Sequence, residues 1–182
     1  MELELELELK DGEHGARLTI KIKITSRVEF TNLKCKTMNK DILNYEYCTL
    51  KSINRTYKYV SGKVNLYKFP TTKAKVNFGL YKRLNGYKPF LYNKTVDACY
   101  FFKHQKSKPV AKYFYDFVKG VSKLNHSCSY DHDIIIDKLS TETMNYLLTK
   151  TLSYPEGDYL LETHWILNEI PSAVVQIYLS LF

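Results

Sequence analysis

The side chains best suited to a reaction or a metal gather in one short stretch: His126, Cys128, Asp131, His132 and Asp133. Imidazole, thiolate and carboxylate are all metal-ligand types. A site, however, needs them to converge on one point, with regular spacing or a second element supplying the rest. On an extended strand His132 would face away from Asp131 and Asp133, so a polar turn is expected here and no metal site. The other hallmarks of catalysis are missing: no G-x-S-x-G elbow, no phosphate-cradling glycine loop and no H-E-x-x-H pair. His164, within Glu162-Thr163-His164-Trp165, falls on the strand face opposite Trp165 and reads as a surface residue. His14 and His104 have no evident partner. No converging constellation remains, so neither catalytic residues nor a cofactor is expected.

The four cysteines, Cys35, Cys48, Cys99 and Cys128, are widely and unequally spaced. Without a C-x-x-C pair, a structural zinc or a thioredoxin-like motif is disfavoured. Two disulfides are the expectation and four reduced buried thiols the alternative. The spacing does not choose among the three possible pairings. Three glycosylation sequons, at Asn54, Asn93 and Asn125, point the same way, towards an oxidising compartment.

The positioning elements come next. The 182 residues fit one domain, or a domain with an arm, and 45% apolar content excludes wholesale disorder. No apolar run is long enough for a membrane-spanning helix. The net charge of +8 is unevenly placed. Met1–Glu13 holds six acids and one base, leaving 26 bases against 13 acids in the rest. Many lysines alternate with apolar residues, as Lys21 and Lys23 do with Ile20, Ile22 and Ile24. Such lysines belong on the solvent face of strands, where they oppose edge-to-edge pairing. Met1–Lys10 is a Leu-Glu arm without the features of a secretory leader.

Alternation predicts strands over Arg17–Phe30, Tyr45–Ile53, Tyr57–Phe69, Ala74–Lys82, Val96–Lys103, Asp133–Asp137, Asp158–Asn168 and Ala173–Phe182, the last two separated at Pro171-Ser172. In the fourth, Ala74, Val76, Phe78 and Leu80 face inward, and Asn85-Gly86 follows as a turn. Val110, Phe114, Phe117, Val118, Val121 and Leu124 recur at helical spacing, with Pro109 in a first-turn position. Ser140 can cap a second short helix. Eight or so short strands and one main helix predict an all-β fold, a β-sandwich. Large inward groups normally fill such a core. Sheets that splay can instead hold an apolar ligand.

From about Val28 to Phe182 the chain resembles a large insect family of small secreted proteins of unknown function, related to the ML lipid-recognition domain and to CheB-type chemosensory and ganglioside-activator proteins. The matching pieces are Asn32-Leu33-Lys34-Cys35, Cys48-Thr49-Leu50-Lys51, Asn54-Arg55-Thr56, the run from Gly86 to Cys99, Asn125-His126-Ser127-Cys128 and Pro155-Glu156-Gly157-Asp158-Tyr159. Ser129 departs from the Pro usual in that family, and the Leu-Glu arm stands where its members carry a signal peptide. The resemblance implies an immunoglobulin-like sandwich of the ML type, disulfides, secretion and a lipid-sized cavity between the sheets. The expected division is an arm over 1–16, outside the fold, and one ML-like domain over 17–182.

The expected function is non-enzymatic binding of a lipid or other hydrophobic ligand, of chemosensory or pheromone type, outside the cell. The cavity is expected among Phe78, Leu80, Phe101, Leu161, Trp165 and Ile177, lidded by Phe114 and Phe117, with Phe90 at its mouth. A membrane receptor is an expected partner, and nucleic acid is not. An adaptor module with a filled core is the alternative. A basic nucleic-acid binder using Lys and Tyr clusters comes third.

Overall fold

The computed structural model describes residues 2–10, 17–25, 27–67, 70–124, 126–151 and 154–182. Two strands open the chain, β1 (Glu2–Lys10) and β2 (Arg17–Thr25), and pair antiparallel as a sheet of their own. Their register sets Glu4 opposite Lys23, Glu6 opposite Lys21, and Leu5 opposite Ile22. The single strand expected over Arg17–Phe30 is therefore two: β3 begins at Val28 and runs to Thr37 in a different sheet.

The rest of the strands form the two sheets of a β-sandwich. Its members are β4 (Leu43–Ser52), β5 (Lys58–Leu66), β6 (Ala74–Leu84), β7 (Gly86–Asp97), β8 (Ile134–Ser140), β9 (Gly157–Leu167) and β10 (Ile170–Leu181). One sheet has the order β3-β10-β9-β6-β7, the other β4-β5-β8, and all pairs are antiparallel. Cys35 on β3 is bonded to Cys48 on β4, so this disulfide ties one sheet to the other. No helix among the described residues is long and apolar enough to cross a membrane.

Two predicted features are corrected and one strand is added. The strand expected over Val96–Lys103 ends at Asp97, where the chain turns into helix α1 (Ala98–Lys103). The Asp97 carboxylate accepts the Tyr100 N–H at 2.9 Å, a side-chain cap that overrides the β preference of the aromatics that follow. Gly86–Asp97, not anticipated as a strand, is β7. It lies at a sheet edge, where Pro89 can be tolerated. The break expected at Pro171-Ser172 falls earlier, at Asn168 and Glu169, both at positive φ (47° and 66°) as a tight hairpin requires. Pro171 instead sits where the β9–β10 register shifts.

Helix α2 (Pro109–Val118) begins at Pro109 as expected, and helix α3 (Thr141–Thr151) starts where the Ser140 hydroxyl accepts the Thr143 N–H at 3.2 Å. The Cys99–Cys128 disulfide closes the segment that carries α1 and α2. No described cysteine is free.

Candidate functional site

The interior divides into two clusters. In one, Phe30, Leu139, Met144, Leu148, Tyr159, Leu179 and Leu181 meet under α3. The gap beneath Leu80 and Leu148 is only about 10 Å³, at the limit for a single water. In the other, small residues (Ala74, Ala111, Ala173) lie among large ones. A cavity of about 190 Å³ opens between β6, β9 and α2. A second space of about 90 Å³ lies towards β4 and β5. Val118, Ile136, Trp165 and Ile177 belong to both walls, so the two spaces adjoin.

Rigid aromatics hold the larger space open. Phe101 and Phe102 on α1 pack edge-on against Tyr115 of α2, at centroid distances of 5.6 and 5.3 Å. Phe102 reaches Tyr130 at 6.3 Å, and Phe114 contacts Phe78 at 4.6 Å. Rings that pack on one another around a perimeter leave its middle unfilled, and their offset and edge-on contacts are favourable in themselves. The Cys99–Cys128 disulfide anchors both ends of this collar.

The wall is almost all carbon. Its polar side chains are mostly engaged within the protein. The Tyr115 hydroxyl donates to the Leu124 carbonyl at 2.7 Å, Tyr130 to the His126 carbonyl at 2.9 Å, and the Trp165 indole N–H to Thr163 Oγ1 at 3.0 Å. Burial pushes the Tyr115 and Tyr130 phenols above their ordinary value, so both stay neutral at physiological pH. None of the described lining residues of either space is charged.

Of the residues singled out in the sequence, Phe78, Phe101, Phe114, Phe117, Leu161, Trp165 and Ile177 line the larger space. Leu80 faces the packed end instead. Phe90 does not join them: it packs on Tyr159 and Tyr154, with Lys82 Nζ over its ring at 5.9 Å. Sequence reasoning missed Thr71, Ala111, Tyr115 and Tyr130. Ala111 and Tyr115 lie four apart on α2, beside the apolar stripe, and a small residue and an amphipathic one blurred its edge. Thr71, in an irregular stretch, carries no periodic signal at all.

The polar constellation comes only partly together: the His126 and His132 rings lie 5.0 Å apart. Cys128 is bonded to Cys99, Asp131 contacts His132 at 3.2 Å, and Asp133 accepts the Leu66 N–H at 3.2 Å. Among the described residues no three His, Cys, Asp or Glu are grouped to hold a metal. His164 is exposed and bonds Glu162 at 2.8 Å. Asn54 and Asn93 are exposed, while Asn125 and His14 lie outside the described residues.

Fold and site together define a β-sandwich protein with an uncharged apolar cavity under a disulfide-anchored helical collar. A family model described as a protein of unknown function (DUF1091) matches residues 76–161, which run from Val76 to Leu161, both on the cavity wall. No curated protein matches the chain.

Proposed function

We propose that this chain is a non-enzymatic carrier for a small hydrophobic ligand, held between the sheets of a sandwich of the ML type. The cavity of about 190 Å³ carries the reading. For scale, an engineered cavity of about 150 Å³ lined by Leu, Ile and Phe binds benzene. The space therefore suits one ring with substituents, or a medium-length chain extending into the adjoining chamber, and is small for a two-chain lipid. A chemosensory ligand of that size fits better than a membrane lipid. The two disulfides support an extracellular setting, where they persist, and the exposed Asn54 and Asn93 are available as glycan acceptors. A void of this size argues against the filled-core adaptor.

Calorimetry with toluene tests the reading. Saturable binding at one site per chain, with a negative heat-capacity change, is expected. A protein that binds neither toluene nor benzyl alcohol overturns it. Detection of the product of the authentic transcript in culture medium tests secretion, and a product confined to the lysate overturns that part.

A further inference from the structure

Thr71 is 2% exposed and belongs to the wall of the larger cavity. Its backbone is fixed by a two-way pairing with Tyr130, N–H to carbonyl at 3.0 Å and 3.2 Å. Its Oγ1 is buried and has no hydrogen-bond partner among the described residues. A buried hydroxyl without a partner is costly, and native proteins rarely keep one without a reason. Among the other polar side chains of this wall, Tyr115, Tyr130 and Trp165 spend their donors inside the protein, on Leu124, His126 and Thr163, and Thr163 Oγ1 is engaged as the acceptor of the last.

We propose that Thr71 is the polar anchor of the cavity, hydrogen-bonding the single uncharged polar group, a hydroxyl or carbonyl, of an otherwise apolar ligand. The inference rests on the carrier reading and names its ligand class. The polar group must be neutral because no described wall residue offers a counter-charge, and an unpaired carboxylate in such a place is strongly disfavoured. Alcohols, aldehydes, ketones and esters of one-ring or medium-chain size are accepted, and fatty-acid anions are not. A hydroxyl takes part as donor and acceptor, so either class of neutral group is served.

Titration of the full chain with toluene, benzyl alcohol and phenylacetate provides the test, on wild type, Thr71→Val and Thr71→Ser. Thr71→Val is expected to weaken benzyl alcohol binding about five- to thirty-fold, the range for losing one hydrogen bond in a buried site, and to leave toluene unchanged. Thr71→Ser keeps the hydroxyl and is expected to keep the preference for the alcohol. Phenylacetate is expected not to bind. Equal loss of toluene and benzyl alcohol in Thr71→Val, no loss of either, or phenylacetate binding as tight as benzyl alcohol overturns the anchor while the carrier stands. Wild type that binds neither toluene nor benzyl alcohol overturns both.

Discussion

The two ends of the sandwich are built from similar residue types and do opposite things. At one end Phe30, Val60 and Tyr159 are almost wholly buried, and side chains from both sheets meet beneath α3. At the other, Phe101, Phe102, Tyr115 and Tyr130 pack on one another around a perimeter, with Ala74, Ala111 and Ala173 between. Aliphatic groups that interdigitate fill space, whereas aromatic rings braced edge to face with alanines beside them enclose it. Apolar content is therefore a poor guide to whether a core is solid. What differs is where the second layer comes from: α3 inserts side chains at the packed end, and the collar of α1 and α2 walls off the hollow one.

The largest effect that separates the ends is expected at Phe30, which is fully buried. Phe30→Ala should destabilise the protein by about 3–5 kcal/mol, as deletions in tight cores do, measured by urea denaturation. The fraction that remains folded should bind toluene as wild type does. Loss of toluene affinity in folded Phe30→Ala would show that the ends are not independent.

The disulfides sharpen the contrast. They close loops with separations of 29 residues for Cys99–Cys128 and 13 for Cys35–Cys48. On the chain-entropy model, removing them as double serine variants costs about 3.5 and about 3 kcal/mol respectively. The stability effects are thus nearly equal, and binding distinguishes them. Cys99→Ser/Cys128→Ser releases the collar and should weaken toluene binding, while Cys35→Ser/Cys48→Ser should leave it in place. Equal effects on affinity would mean the collar is not what holds the cavity open.

Alkaline titration reads the walls. Burial pushes the Tyr45 phenol, beside the smaller chamber, up to about 12, and raises Tyr115 and Tyr130 as well. The unfolded chain ionises its tyrosines near the ordinary value of 10.0. Between pH 10 and 12 the unfolded state has released protons that the native state retains. Stability is therefore full below about pH 10 and falls as pH rises towards 12. Absorbance of phenolate followed alongside circular dichroism should show a late group of tyrosines that ionise with unfolding. Ionisation of every tyrosine near 10 in a still-folded protein would contradict the burial of these walls.

Much of this frame is legible in the residues. Alternation locates β6, β9 and β10, three- and four-residue spacing locates α2, and Ser140 marks the start of α3. β7 escapes because an edge strand pairs on one side only and need not alternate cleanly. α1 escapes because its aromatics favour strands and only the Asp97 cap betrays it. The register that sets Glu4 and Glu6 opposite Lys23 and Lys21 is fixed only once the two strands pair. Seven wall residues were legible as inward apolar groups. Whether they touch across the gap was not, since the separation of two sheets is fixed by what wedges between them. Thr71 was invisible, because its place depends on pairing with Tyr130, fifty-nine positions away in sequence and brought close only by the fold.

The smallest effect on stability carries the sharpest test of the comparison. Ala111 is buried on α2 and faces the larger space. Leucine is a good helix former, and filling a void commonly changes stability by only about 0.5–2 kcal/mol, usually upward. Ala111→Leu should therefore leave the unfolding midpoint unchanged or higher while lowering toluene affinity at least about tenfold, because an occupied cavity offers no burial to the ligand. The same enlargement in a well-packed core costs about 1–3 kcal/mol. If Ala111→Leu is destabilised to that extent and toluene still binds, the two ends are alike, and the ligand sits elsewhere. A stable variant that no longer binds ties the hollow end to the ligand through a change that adds only carbon.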